Sequence, residues 1–329
     1  MHEHKQNQCK RKVKNRKNVV GLIIFCITVG IVFLYAYYQN LRKEIDARQK
    51  WLETEKKAVG RYLDWHTGIL LETDGKMGIY RKESGKLIYK EKVDSEDGYL
   101  GMYLFLMGKY LEKTENTDLP EYWKKGISLA LKKIQSLMRD GITQVSEENT
   151  TAYLMDNLEV WKGLHELELA GLEDTQAISE MRKKIQAQIE NIFWDDANQR
   201  WRIIGNSDLY DQTEFYPDGV AQIYPLIYEF PVKEKKKQKI LYDQFTEKFQ
   251  WQKLNKKING FLWAMTGMAA VQMGDINNLV ELIGNYETEC CENRKYPLYT
   301  GEAGWICMEC EKLYRLYERK IKTGFILCA

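Results

Sequence analysis

From Tyr99 onward, apolar residues recur at intervals of three and four, separated by brief Gly- or Asp-bearing breaks, and this rhythm commits the chain to packed helices. The breaks at Asp140-Gly141, Gly171-Leu172-Glu173-Asp174 and Gly274-Asp275 are short enough to join antiparallel neighbours. The pattern predicts helices over 98–113, 119–140, 151–170, 174–193, 216–230, 234–249, 258–273, 276–286 and 301–320, with a tenth over 45–63. Of the five prolines, Pro225 alone falls in the middle of a helical run, where its missing N–H predicts a kink. Two stretches depart from the rhythm. Turn signals at Asp74-Gly75 and Ser84-Gly85 predict a small strand pair or extended excursion before residue 94. The segment Trp194 to Ile203 reads as a β-hairpin turning at Asn198. No fixed-period repeat is evident.

Ahead of the helices, Val19 to Tyr38 (VVGLIIFCITVGIVFLYAYY) carries no charge. About twenty apolar residues are what a helix needs to cross a bilayer core of about 30 Å. The run is longer than the apolar part of a signal peptide and ends in tyrosines rather than a small-residue cleavage site, which favours an anchor over a cleaved leader. Seven Lys/Arg precede it against Glu3 alone, so the expected orientation is amino terminus cytoplasmic and carboxy-terminal domain extracytoplasmic. The expected organisation is a basic tail over 1–18, a membrane span over 19–38, a stalk or first helix over 39–63 and one domain over 64–329. Since the whole chain is only +2, the part beyond the basic tail is net negative, and a nucleic-acid groove is not expected.

Cys307-x-x-Cys310 lies in a helical run with no second such pair or histidine pair beside it, and buried structural thiols are the expected reading. Only His2, His4, His66 and His165 occur, so no multi-histidine metal centre and no cofactor is expected; His165, in mid-helix, is read as structural.

Carboxylates gather at the helix starts. Asp94-Ser95-Glu96-Asp97-Gly98-Tyr99 opens the first, and related groups open three more: Tyr153-Leu154-Met155-Asp156-Asn157, Glu214-Phe215-Tyr216-Pro217-Asp218-Gly219 and Tyr299-Thr300-Gly301-Glu302. One acid at a helix N-terminus is ordinarily a cap, favoured by the free N–H groups there. Four such starts read instead as one rim of a helical barrel. Glu96, crowded by Asp94 and Asp97, suits an acid of raised pKa, because like charges resist joint ionisation. Asp156 suits a base. Tyr99, Trp161, Tyr216, Trp263, Tyr299 and Trp305 offer flat faces to sugar rings, although an aromatic at helical spacing is more often core. Asp218 and Glu302 are expected to bind hydroxyls or to cap.

The segments DSEDGYLGMYLFLM, YLMDNLEVWKGL, TEFYPDGVAQIYPLIY, GFLWAMTGMAAVQMGD and TGEAGWICMECEKL resemble the helix pairs of six-hairpin glycosidases. Within that superfamily the chain looks most like family 8 glycoside hydrolases. The resemblance implies an all-α fold, an (α/α)6 toroid of helical hairpins, here with a small β-hairpin excursion and a preceding membrane helix. Ser95-Glu96 with Gly98-Tyr99 and Gly101-Met102 approximates the family's acid-bearing motif, shifted by a residue on either side of the glycine-tyrosine pair, which leaves Glu96 and Asp97 as rivals for the acid. The family's Asp-Ala-Asp segment is approximated by Asp156-Asn157-Leu158-Glu159, carrying the base onto Asp156 and less closely onto Glu159. An inverting mechanism with carboxyls about 6.5–9.5 Å apart is implied.

The resulting expectation is a membrane-anchored hydrolase of an extracytoplasmic polysaccharide, with polysaccharide-synthesis machinery as a candidate partner. Two other functions stay open. One is a non-catalytic glycan-binding or assembly subunit. The other is a polysaccharide lyase, for which Arg200 and Arg202 would supply the uronate contacts.

Overall fold

A computed structural model describes residues 39, 42–43, 53–54, 56–114, 119–172, 175–205, 207, 213–254, 262–293 and 300–327. The chain divides into two units, Met1–Tyr62 and Leu63–Ala329. The described residues of the first are helical. Positions 19–38, the expected membrane span, lie outside the described residues, as does most of the stalk. Among the described residues, no helix is long and apolar enough to cross a membrane.

The second unit is built from two kinds of helix that the sequence distinguishes by how far around them the apolar residues run. Helices α3 (Glu121–Leu137), α5 (Thr175–Phe193) and α9 (Ile276–Tyr286) are amphipathic, each burying one stripe. On α3 that stripe is Trp123, Gly126, Ile127, Ala130, Ile134 and Leu137; on α5 it is Ile178, Ile185, Ile189 and Phe193. In contrast, α4 (Leu154–Leu169) is covered on most sides and α6 (Val220–Ile227) along its whole length. Together with α2 (Glu96–Thr114), α8 (Thr266–Met273) and α10 (Thr300–Leu327), these form a row in which α2 packs on α4, α4 on α6, α6 on α8 and α8 on α10. Helices α3, α5, α7 (Lys235–Phe249) and α9 each pack against the row helix that precedes them. Helix α1, whose turns in this unit run over 63–72, buries Leu63, Thr67 and Leu70. Its Thr67 hydroxyl lies 2.8 Å from that of Tyr103 on α2.

The tightest crossing is α2 on α4, and glycine makes it so. A Cβ at Gly101 would lie 2.7 Å from Val160 Cα, and one at Gly108 would lie 2.6 Å from the carbonyl carbon of Glu166. Backbones therefore meet without intervening side chains.

A chain of ion pairs crosses the row helices. Lys109 of α2 reaches Glu166 of α4 at 2.7 Å, Lys162 bridges Glu166 and Glu229 at 2.9 Å each, and Lys312 of α10 meets Glu229 at 2.6 Å. Gln272 of α8 donates to the same Glu229 at 3.0 Å. Burial alone would raise the pKa of Glu229, but Lys162 and Lys312 outweigh it and hold the group down at about 2. Four helices and the turn after α6 are thus tied together.

Among the described residues, three hairpins punctuate the helices. Strands β1 (Ile79–Glu83) and β2 (Lys86–Glu91) pair antiparallel across Ser84 and Gly85, both at positive φ, the geometry that suits a two-residue turn between twisted strands. The run expected as one helix over 119–140 instead ends at Leu137. Asp140 (φ 51°) and Gly141 (φ 86°) turn the chain between β3 (Met138–Arg139) and β4 (Ile142–Thr143). Strands β5 (Trp194–Asp195) and β6 (Arg200–Trp201) form the expected excursion, with Gln199 rather than Asn198 at positive φ.

Other boundaries move too. The helix expected over 258–273 begins at Thr266, after a turn at 264–265, and residues 255–261 lie outside the described set. That expected over 216–230 begins with a π-helical turn, Phe215–Gly219, in which Tyr216 is extended, and α6 proper carries Pro225 and ends at Ile227. The expectation of buried thiols fails at Cys307 and Cys310, which are exposed, whereas Cys290 is buried. On α10 the inward face is set by Glu302 and Glu309, two turns apart and both buried; at about 100° per residue the two cysteines fall outside that line.

Candidate active site

Helix α2 starts with Ser95 as its cap, the hydroxyl accepting the N–H of Gly98 at 3.0 Å. This leaves Asp97 in the first turn, fully buried, where its oxygens take two hydroxyl donors. Ser95 Oγ donates to Oδ1 at 2.8 Å and Thr143 Oγ1 to Oδ2 at 2.6 Å. Thr143 is delivered by the β3–β4 turn, and Asn157 of α4 holds that strand as a substitute partner. The Thr143 N–H donates to Asn157 Oδ1 at 2.8 Å, and Asn157 Nδ2 donates to the Thr143 carbonyl at 3.0 Å.

One residue before and two after Asn157 on α4 are Asp156 and Glu159. Both turn toward Gly98: the position of a Cβ there lies 2.8 Å from Glu159 Oε2, 3.5 Å from Asp156 Oδ1 and 2.7 Å from Ser95 Oγ. Glycine at 98 leaves room for the carboxyls. Burial, then the charges of Asp97 and Glu159, push Asp156 up to about 8, and a hydrogen bond with Ser95 opposes this only partly. Burial raises Glu159 to about 7, while Tyr224 and Tyr228 pull it back. Their hydroxyls donate to Glu159 Oε1 at 2.7 and 3.3 Å. Burial also raises Asp97, against the hydroxyls of Thr143 and Ser95. Burial and mutual repulsion thus raise all three carboxyls, Asp156 and Glu159 as far as the neutral range.

The remaining expected site residues distribute unevenly. Glu96 is half-buried beside other charges, Glu148, Lys133, Glu147 and Lys92, and burial followed by Glu148 raises its pKa. The charges that act most on Asp156 are Asp97, Glu159 and Asp94, so of the rivals it is Asp97 that joins the cluster. Tyr216 is 39% exposed, with its ring 4.8 Å from that of Trp263. Burial and then the charges of Asp156, Asp94 and Glu159 raise the Tyr216 phenol. Tyr99 is exposed in the first turn of α2. Trp161 is in the core, stacked on His165 at 5.3 Å and edge-on to Phe230, with no free face for a sugar. Asp218 is buried at the π-turn. Glu302 is buried and accepts the Ala264 N–H at 3.1 Å, which makes it the anchor of the turn before α8. Tyr299 lies outside the described residues. Arg200 and Arg202 both face Asp195, at 3.6 Å each. Among the described residues, no three His, Cys, Asp or Glu side chains are arranged to hold a metal ion.

Tyr224, Tyr228 and Thr143 carry no functional signal in the sequence. The tyrosines sit in the apolar run AQIYPLIY and read as core; only their i, i+4 spacing hints that both phenols reach one place.

No protein-family model matches the chain, and no curated protein does. Solved structures similar to it include two glycosidases. One is a glycosidase carrying a glutamate-to-alanine substitution, at 12% identity and TM-score 0.46, over 68% of this chain and 63% of that one. The other is a glycosidase with a like substitution in complex with glucose, at 13% identity and TM-score 0.44, over 64% of this chain and 60% of that one. The chain thus spans less than two thirds of either. The chemistry open to the site is that of this chain's own residues.

Proposed function

We propose that this chain is a glycoside hydrolase in which Asp156 is the proton donor and Glu159 its ionised partner, carried on a helical-hairpin toroid. The observation that supports it is the shared placement of the two carboxyls within 3.5 Å of one point at Gly98, one held protonated and the other gripped by two tyrosine hydroxyls. Glycoside cleavage needs that division of states: an acid to protonate the leaving oxygen and a carboxylate to act on the anomeric carbon or on water. Asp156 gives its proton to the glycosidic oxygen as the bond from that oxygen to the anomeric carbon breaks, and a later water restores it. Two oxygens so near one point are closer than the about 6.5–9.5 Å of an inverting pair, which favours Glu159 as nucleophile and retention. The inverting course that the family resemblance implies would need a base farther from Asp156 than Glu159 is. The anomer first released, followed by proton NMR, separates the two.

In this reading Tyr216, with Trp263 behind it, is the platform on which a sugar ring stacks. The substrate is a polysaccharide on the far side of the membrane from the basic tail, and the span over 19–38 is the anchor. A reporter fused after Ala329 tests the placement, since protection from protease in intact cells would reverse the topology. Tyrosine as the base of a lyase is disfavoured because Tyr224 and Tyr228 are buried with phenols raised well above their usual value. Reducing-end release from a panel of polysaccharides tests hydrolysis, and products absorbing as unsaturated uronates would mark a lyase.

A further inference from the structure

The proposed reaction leaves two buried carboxyls of α10 unused, Glu302 and Glu309. Both are spent on the start of α8. Glu302 takes the N–H of Ala264 at 3.1 Å. Two turns further on, the Glu309 carboxyl fills the notch that Gly267 leaves: a Cβ there would stand 2.5 Å from Glu309 Cδ and 2.6 Å from each carboxyl oxygen. The nearby Met268 N–H already donates to the Met265 carbonyl at 3.1 Å, and among the described residues neither Glu309 oxygen has a hydrogen-bond partner of its own. Of the elements packed on α10, α8 has no ionisable side chain and α9 has Glu281 and Tyr286. On α10 itself, Lys312 is committed to Glu229, and the titratable groups that face Glu309 are Glu302 and Cys310. A charge on Glu309 would therefore be buried without compensation, which favours the neutral acid. Burial and then the Glu302 charge push its pKa well above the usual carboxylate range.

The turn held in this way carries Trp263. Its backbone is left-handed, at φ 58°, a conformation that a bulky side chain keeps only where its surroundings enforce it. Enforcement comes from both sides of the residue. Glu302 ties down the Ala264 N–H, and the Trp263 carbonyl accepts the Thr266 N–H at 3.1 Å and the Thr266 hydroxyl at 2.8 Å. The indole so presented lies 4.8 Å from the Tyr216 ring and 5.7 Å from that of Phe215.

We propose that Glu302 and Glu309 are positioning residues: from α10 they seat the turn that presents Trp263 behind Tyr216, Glu302 by accepting its N–H and Glu309 by filling the notch at Gly267 as a neutral acid. The seat is intact while Glu309 carries its proton and is lost as pH rises through the Glu309 midpoint, because an ionised carboxyl must leave the α8–α10 contact to find water. The strained Trp263 backbone then relaxes, and the aromatic pair parts. This deepens the hydrolase reading and rests on Tyr216 and Trp263 being its sugar platform, but the seat is observable without any substrate.

The test follows the indole N–H of Trp263 by NMR in the full chain labelled with ¹⁵N-tryptophan, with Trp263→Phe identifying the resonance. Among the described residues Trp263 Nε1 is buried without an acceptor, so any movement of the ring changes its surroundings. In the parent the resonance should hold its position in acid and move as pH rises past the ordinary glutamate value of 4.5. Glu309→Gln, which keeps the size and cannot ionise, should abolish that movement, and Glu309→Met serves if the glutamine variant does not fold. Asp156→Asn should leave the movement as it is, which separates it from titration of the carboxyl cluster. On a polysaccharide that the parent cleaves, KM should rise about tenfold over the same interval as stacking is lost, and Glu309→Gln should keep it flat. A merely structural role would change stability and leave both the resonance and the KM profile in place. A Trp263 resonance that stays put up to alkaline unfolding, the same movement in folded Glu309→Gln or Glu309→Met, or its loss in Asp156→Asn overturns the proposal. If no polysaccharide is cleaved, the hydrolase reading fails, with the resonance still deciding whether the two glutamates seat Trp263.

Discussion

A Cβ built on Gly163 of α4 would stand 2.1 Å from the carbonyl oxygen of Gly101 on α2, so these two helices touch through their backbones. The contact matters beyond packing, because Asp97 and Gly98 ride on one helix and Asp156 and Glu159 on the other. Gly163→Ala should therefore separate the helices rather than merely tighten them. Overpacking typically costs about 1–3 kcal/mol, and backbone against backbone has no side chain to yield, so the upper part of that range is expected by urea unfolding. Gly171→Ala, at an open position with φ of 71°, is a control for backbone strain alone, and a loss at Gly163 no larger than there would argue against the close crossing.

Tyr224 and Tyr228 favour the charged form of Glu159. Their hydroxyls lower its pKa against burial, so removing either hydroxyl should raise it above about 7. Tyr224→Phe, which loses the 2.7 Å bond, should shift it more than Tyr228→Phe, which loses the 3.3 Å one. Glutamate carboxyl titration by NMR measures both. An unchanged or lowered midpoint in Tyr224→Phe would contradict the assignment.

The buried ion pairs make a different prediction. Lys162 is 6% exposed and neutralises Glu166 and Glu229 together. Lys162→Met leaves Glu166 with Lys109 alone and Glu229 with Lys312 and Gln272, and losing one charged partner of a buried group that keeps another costs about 1–3 kcal/mol. The folded Glu229 titrates at about 2, below its ordinary value of 4.5. Its stabilising contribution is therefore complete above 4.5 and disappears as pH falls through about 2. The deficit of Lys162→Met should shrink over the same interval. A deficit that stays constant down to about pH 2 would mean that packing, not charge, is what the lysine supplies.

Much of this architecture was legible in the chain. The three- and four-residue apolar spacing locates α2, α4, α5, α7 and α9 to within a few residues, because each presents either a clean stripe or an unbroken apolar run. Boundaries failed where short-range turn chemistry overrode the helical pattern, as at Asp140-Gly141, whose positive-φ pair closes β3 on β4. They failed again at Tyr216, whose extended backbone precedes α6. For the site, the clustering of acids at helix starts is visible in sequence, but direction is not. Glu96 and Asp97 are adjacent, and a helix turns adjacent side chains about 100° apart, so only the packing of α2 on α4 tells which one meets Asp156. Lys162 and Glu166 hid inside the apolar run of α4, since their partners lie on other helices.

Asp156 should weaken the fold that holds it. Its folded pKa is about 8 against an unfolded 3.8, so between these values the folded chain binds a proton that the unfolded chain does not. Stability from this group is present below 3.8 and is lost as pH rises toward 8. Asp156→Asn, which needs no proton, should unfold at a higher urea concentration than the parent above about pH 8, with the difference vanishing in acid. Equal midpoints at about pH 9 would show that Asp156 is not a strained acid.

The most direct test of the account compares reducing-end release by the parent, Asp156→Asn, Glu159→Gln and Glu96→Gln on a polysaccharide that the parent cleaves. Loss of a general acid or its partner typically costs about 10²–10⁴-fold. The account predicts losses of that order for Asp156→Asn and Glu159→Gln, with Glu96→Gln within about threefold of the parent. Full activity in Asp156→Asn, or a dead Glu96→Gln beside an active Glu159→Gln, would contradict it.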